Sequence, residues 1–372
     1  MRVLIAPDKF AGTLSAVEAA EAIARGWARQ APGDSLDLAP MSDGGPGFVE
    51  VMHAALAGRV LAHTVRGPHL EPTPASILMV ENTAYVESAQ ACGLHLTGGV
   101  DPEGATTYGV GELLLAARDA GATTIVVGLG GSGTNDGGAG LLAALGATPA
   151  AALRGGVAGL EDLPQEPGID LHAAREAMSA VTLIAASDVD SPLCGLFGAT
   201  KTFGPQKGIL EERLPAVDAV LERFAVQIDR RLALEAGAGA AGGLGFALLA
   251  LGATRAPGID LVVEAVGLAE RARLADLVVT GEGAFDFSSR SGKVPYGVAA
   301  LAEAALRPCV AVAGQVLVGA REMRALGVES GYSLVELVGR ERAFADPAGS
   351  LADVAERVAR TWSRGDPRNS EE

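Results

Sequence analysis

Short runs of β-branched and leucine-rich residues recur along the chain. Each gives way to a turn rich in Gly, Asp or Glu and then to a helical pattern. The runs cover residues 3–6, 124–128, 181–186, 277–280 and 310–313, and the helical periods cover 16–30, 110–120, 138–145, 214–234 and 294–306. Strands alternating with helices predict parallel sheets covered on both faces. Residues 77–87 instead read as a hairpin pair, so one sheet is expected to be mixed. Ser15 opens the first helical period with Glu18 three residues on, the signature of a capping box. Residues 147–168, rich in Ala, Pro and Gly, read as an irregular surface excursion, and 364–372 as a disordered tail.

Composition changes this picture in two ways. At 372 residues the chain is too long for one ordinary core, so two domains are expected. With 49% apolar but only 4% aromatic residues, those cores must be built mostly from aliphatic side chains. Fifty glycines, clustered in loops, predict sharp turns and close approach of backbone to ligand. The net charge of −16 argues against nucleic acid and anionic membranes as partners. Residues 236–254 are uncharged and long enough to span a bilayer, but their glycines read as a loop feeding a short buried helix. Cys92, Cys194 and Cys309 are widely spaced, and the N-terminus runs straight into a strand, so a cytoplasmic location is expected.

Candidate chemistry concentrates in residues 128–140, where a strand enters a glycine loop and a helix leaves it. Such a loop aims backbone N–H groups and a helix N-terminus at one place, which suits a phosphate. Gly130, Gly131, Ser132, Thr134, Asn135 and Asp136 are the candidate phosphate ligands. The dinucleotide pattern Gly128-x-Gly130-x-x-Gly133 is present. The ribose-binding acid expected about 20 residues on is missing, because the next acid after Asp136 is Glu161. That counts against a nicotinamide dehydrogenase. A second match, Gly237-x-Gly239-x-x-Gly242, follows a helical pattern rather than a strand.

Acids stand at or near strand ends at Asp8, Asp188 and Glu282, where open parallel sheets bind their ligands. Carboxylates there can hold Mg²⁺ or take a proton from a hydroxyl nucleophile. Lysine is rare: Lys9, Lys201, Lys207 and Lys293 all sit in turn-like segments, where a compact ammonium can serve a phosphate or carboxylate. The five histidines show no metal-ligand spacing. Carboxylates, lysines and glycine loops together suit phosphoryl transfer, in which positioning and charge neutralisation do most of the work.

These motifs resemble the glycerate kinase family of bacteria, the ATP-dependent type that lacks a P-loop. The resemblance runs through Ile5-Ala-Pro-Asp-Lys-Phe, Ser42-Asp-Gly-Gly, Gly130-Gly-Ser-Gly-Thr-Asn-Asp-Gly-Gly-Ala-Gly, Asp188, Phe203-Gly-Pro-Gln-Lys-Gly, Gly237-Ala-Gly-Ala-Ala-Gly-Gly-Leu-Gly, Thr280-Gly-Glu-Gly and Gly292-Lys-Val-Pro. It implies an α/β fold of two domains with largely parallel sheets and an active site in the cleft between them. One domain, Rossmann-like and discontinuous, would comprise residues 1–65 plus 288–372. It would enclose an inserted domain of residues 66–287. The resemblance also implies transfer of the γ-phosphoryl group of ATP, with Mg²⁺, to a hydroxyl of D-glycerate, giving 2-phosphoglycerate or 3-phosphoglycerate.

In that reading the 130–136 loop and a turn at Gly281, Glu282 and Gly283 cradle the nucleotide phosphates. Asp188 and Glu282 hold the metal, Lys207 and Lys293 neutralise the transferred group, and Asp188 orients or deprotonates the acceptor. Asp8, Lys9, Asp43 and Asp286 line the acceptor pocket. Ala11, Pro46 and Ala284 stand where the family pattern carries charged residues, and Lys9 is placed to restore the charge lost at Ala11. A kinase of another small hydroxy acid or polyol, or a non-catalytic ligand-binding homologue, stays open on these residues, as does a homodimer.

Overall fold

The computed structural model describes residues 1–163, 168–286 and 294–363. Lys293 and the tail at 364–372 lie outside the described residues. In chain order the strands are β1 (Arg2–Pro7), β2 (Ser35–Leu38), β3 (Arg59–Arg66), β4 (Pro72–Val80), β5 (Thr83–Glu87) and β6 (Thr124–Gly128). They continue with β7 (Thr182–Ala186), β8 (Thr254–Ala256), β9 (Leu277–Phe285), β10 (Cys309–Val316) and β11 (Ser330–Ser333).

The fold is α/β, and the chain divides into two compact units. The first comprises Met1–Asp43, Glu50–Leu56 and Ile259–Glu372. Its sheet, in the order β11-β10-β9-β1-β2, is parallel throughout. Val3, Ile5, Leu277, Val279, Val310 and Val312 are fully buried, as a parallel sheet covered on both faces requires. One cover is the helix Ala16–Gln30, whose Ser15 and Glu18 form the expected capping box. The second unit comprises Gly44–Val49 and Ala57–Gly258. Its sheet, β3-β4-β5-β6-β7-β8, is antiparallel from β3 to β5 and parallel from β5 to β8, so the predicted hairpin and the mixed character are both present.

The scaffold departs from the sequence reading in several places. The boundary expected at 287/288 falls instead at Gly258/Ile259, because β9 belongs between β1 and β10 in the first sheet. Residues 44–49 and 57–65, expected in the first domain, belong to the second unit, where β3 pairs with β4 along its full length. Within the segment expected to be irregular, of which residues 164–167 lie outside the described residues, Ala150–Leu153 and Gly156–Glu161 are helical and bury Leu153, Val157 and Leu160. Those three residues recur at helical spacing, a signal masked by the surrounding Ala and Gly. The helix expected over 214–234 stops at Ile228, where Asp229 turns extended, and a separate 3₁₀ turn covers Leu232–Leu234. The glycine-rich 236–254 stretch does feed a buried helix, Ala240–Ala250, and no helix among the described residues is long and apolar enough to cross a membrane.

Candidate active site

In the first unit the carboxyl ends of β1 and β9 open onto a cavity of about 450 Å³. Asp8 follows β1 directly and donates its backbone N–H to the Gly281 carbonyl at 2.8 Å. Asp8 Oδ1 accepts from the Lys9 backbone N–H at 2.7 Å and lies 3.4 Å from Lys9 Nζ. The same ammonium lies 3.5 Å from Asp43 Oδ1. Asp8, Lys9, Asp43 and Glu282 all line the cavity, and Phe10, Leu334, Val335, Phe344 and Pro347 form an apolar wall.

Asp8 is only 6% exposed, and burial pushes its carboxyl up to about 6 despite the Lys9 charge beside it. Burial works to lower the Lys9 ammonium, but the Asp8 and Asp43 carboxylates outweigh it and hold its pKa above the ordinary value. Three of the four expected acceptor residues are therefore brought together. Asp286 stands one residue beyond β9 and does not line this cavity.

The expected phosphate turn at Gly281–Gly283 is strand. β9 continues through Glu282 to Phe285, pairing with β10 as far as Val316. A Cβ on Gly281 would collide with the Val312 carbonyl of β10, so this glycine serves strand approach. Glu282 sits inside the strand rather than at its end.

In the second unit the 130–136 loop leaves β6 as predicted, but much of it turns inward. Gly130 packs on the Gly45 backbone and donates to the Gly44 carbonyl at 3.2 Å. Asp136 is fully buried. Its Oδ2 accepts from the Thr107 N–H and hydroxyl, both at 2.8 Å, and from Gly140 N–H at 3.1 Å, and its Oδ1 accepts from Gly138 N–H at 3.0 Å. This carboxylate staples the loop to the helix Ala139–Ala144 and to Thr107. Burial raises its pKa against the opposing pull of these donors. Asn135 is buried too, donating Nδ2–H to Thr200 Oγ1 at 2.9 Å.

Lys207 is 2% exposed and donates to Ser132 Oγ at 2.9 Å and to the Thr134 carbonyl at 2.6 Å. Burial lowers its ammonium to about 8, with Cys92 and Asp136 pulling the other way. Among the loop residues expected to meet phosphate, Gly131 is exposed and Gly130 half-buried. Asp188 stands two residues beyond the end of β7, half-buried.

The second glycine motif has a structural task that sequence reading missed. Ala241, Gly242 and Gly243 have φ of 52°, 69° and 92°, and Gly242 accepts from the Gly137 N–H at 3.0 Å. A Cβ on Gly242 would strike the Thr134 carbonyl, so the two glycine loops pack backbone on backbone. Glu87 was also missed: it accepts from the Gly47 N–H at 3.1 Å and holds the Gly44–Val49 segment. Nothing in the sequence marks Glu87 apart from its place at the end of β5.

No group of three or more His, Cys, Asp or Glu side chains among the described residues is arranged to hold a metal ion. Magnesium bound with a nucleotide needs only one or two protein carboxylates, the phosphates supplying the rest. Glu282, which lines the first unit's cavity, is a carboxylate that fits that arrangement.

The sequence profile of the glycerate kinase family matches residues 3–363. The chain belongs to the glycerate kinase family. Among relatives, a glycerate kinase of Bacillus subtilis (strain 168) is 40% identical over 375 residues, covering 96% of this chain and 97% of its own. A glycerate 2-kinase of Escherichia coli (strain K12) is 37% identical, covering 98% and 99%. The crystal structure of “putative glycerate kinase 2” from Salmonella typhimurium LT2 superposes with a TM-score of 0.77 at 38% identity, covering 97% of this chain and 98% of that one. Within this family setting, two of the three altered positions, Ala11 and Ala284, line the same cavity as Lys9. The third, Pro46, has its ring against Gly131.

Proposed function

We propose that this protein transfers the γ-phosphoryl group of ATP to a hydroxyl of D-glycerate, giving 2-phosphoglycerate. The observation that carries the reading is the polar end of the first unit's cavity. Glycerate presents one carboxylate and two hydroxyls, and the cavity presents one lysine, Lys9, beside the carboxylates Asp8, Asp43 and Glu282. An ammonium binds the acid and carboxylates accept from hydroxyls. The name of the Escherichia coli relative supports the 2-position.

In the second unit the exposed part of the glycine loop around Gly131 takes nucleotide phosphate. Lys207 acts from behind, holding Ser132 and the Thr134 carbonyl in place. Asp188 of the second unit and Glu282 of the first are each a carboxylate that could serve magnesium, which when bound neutralises phosphate charge. The test is purified protein with ATP, Mg²⁺ and D-glycerate, reading ADP release and the phosphorus NMR spectrum of the product. A 2-phosphoglycerate signal is expected. No ADP above background refutes the substrate, and a 3-phosphoglycerate signal refutes the regiochemistry.

A second reading has a specific observation behind it. A cavity of about 450 Å³ lies within the range, roughly 300–1,000 Å³, of sites that enclose ligands larger than a three-carbon acid. Phe10, Leu334 and Phe344 could accommodate an apolar substituent. A panel of longer hydroxy acids in the same assay decides between the two, and kcat/KM highest for glycerate rejects the larger acceptor.

A further inference from the structure

Asp8 is held differently from Asp136, whose two oxygens are both occupied. Its Oδ1 is occupied by the Lys9 N–H and ammonium, whereas its Oδ2 makes no hydrogen bond among the described residues. The side chain is more than nine-tenths buried and lines the cavity. Its backbone is fixed on both sides, by the β1 ladder before it and by the hydrogen bond to Gly281. A carboxylate held rigidly by one oxygen, with the other left for the cavity, has the geometry of a proton acceptor.

We propose that Asp8 is the general base of the reaction: its Oδ2 takes the proton from the acceptor hydroxyl as that oxygen attacks phosphorus. This deepens the reading of the chain as a glycerate phosphotransferase and rests on it. The new bond joins the glycerate oxygen to the γ-phosphorus. The bond from that phosphorus to the β–γ bridging oxygen breaks, its electron pair leaves with ADP, and the proton passes to Asp8 and then to solvent. The assignment moves to Asp8 the proton step that sequence reading gave to Asp188.

The charged groups around Asp8 suit the task. Lys9 lies against Oδ1, Asp43 shares that lysine, and Glu282 reaches the same cavity from β9. Burial and the Asp43 charge make the Asp8 carboxylate more basic than a free one, and Lys9 keeps it ionised near neutral pH. Asp8 and Lys9 thus divide the work. Lys9 meets the negative end of the acceptor, and Asp8 meets the hydroxyl.

The test compares the wild-type chain with Asp8→Ala and Asp8→Asn, each checked by thermal melting, using ATP, Mg²⁺ and D-glycerate. Removing a general base lowers kcat by roughly 10²–10⁴-fold, and the KM for ATP should stay within about twofold of wild type. In Asp8→Ala, added formate should occupy the vacated volume and restore at least tenfold of the lost rate in proportion to its concentration. In Asp8→Asn the amide fills that volume, and formate should do nothing. Two results overturn the proposal. One is a kcat within threefold of wild type in either variant. The other is a folded, inactive Asp8→Ala that formate leaves inactive, which would make Asp8 only the support of Lys9. If Asp8→Ala does not fold, the kcat of the isosteric Asp8→Asn decides alone. Absence of turnover by the wild type itself would instead refute glycerate as substrate, and it is seen before any variant is compared.

Discussion

The two units bury similar charged groups and use them in opposite ways. In the first, Asp8 commits one oxygen to Lys9, keeps the other clear, and lines a cavity. In the second, Asp136 commits both oxygens to four donors, two on Thr107 and one each on Gly138 and Gly140. The lysines divide in the same manner. Lys9 lies between two carboxylates and is held charged, whereas Lys207 is buried against a hydroxyl and a carbonyl and is driven toward neutrality. Burial alone therefore does not mark a reacting group. What separates the two carboxylates is whether an oxygen is left over once the fold has been satisfied, and what separates the two lysines is whether their partners carry charge.

The sharpest way to break this comparison is Asp136→Ala. If the carboxylate is purely structural, the change strands the Thr107, Gly138 and Gly140 donors in the interior. It should then cost at least about 3 kcal/mol, since each stranded group costs roughly 1–3 kcal/mol. Chemical denaturation measures it, and a loss below about 1 kcal/mol would show that the loop does not depend on Asp136.

Next in size is Gly242→Ala, which combines a φ of 69° with a collision at the Thr134 carbonyl. It should lower stability by roughly 1–3 kcal/mol. The neighbouring Ala241→Gly, relieving a φ of 52°, should raise it by up to about 1 kcal/mol. Melting temperatures moving the same way in both variants would contradict the backbone-on-backbone packing.

Lys9→Ala sharpens the other side. Loss of a charge-assisted contact of roughly 1.5–3 kcal/mol should raise the KM for glycerate about tenfold to a hundredfold, with little change in the KM for ATP. Equal rises in both would remove Lys9 from the acceptor. The smallest effect is the pH dependence of Lys207. Its folded pKa is about 8, below the ordinary 10.5, so between those values the unfolded state binds more protons and stability should rise with pH. Below about 8 both states are protonated and this contribution to the slope vanishes. Lys207→Met should flatten the alkaline rise in denaturant titrations, and an unchanged slope would mean that the ammonium is not desolvated.

Much of the scaffold was legible because local chemistry and tertiary environment agree there. Residues 3–6 and 310–313 are uniformly aliphatic runs, and both lie in the buried interior of a parallel sheet. The helix Ala16–Gln30 begins where its capping box says it should. The glycine motifs were legible as motifs but not as geometry. Sequence shows that a Cβ is unwelcome, not whether a ligand or another strand is the reason. At Gly281 the reason is Val312 of β10, and at Gly242 it is Thr134. The inward turn of Asp136 was hidden for a related cause, since its partner Thr107 lies 29 residues away and only the fold brings the two together.

One feature of the first sheet also bears on how the chain is made. β1 finds one neighbour in β2, completed by Leu38, and the other in β9, which begins only at Leu277. During synthesis at roughly 5–20 residues per second, β1 therefore waits on the order of tens of seconds for its second partner. Within that interval the whole of the second unit has been made. The usual vectorial order is thereby inverted: a strand translated well before the second unit is fully paired only after it. Until the ribosome passes Phe285, the apolar strand 3–6 has one edge without its native partner and depends on delay, or on a chaperone, to keep it from pairing elsewhere.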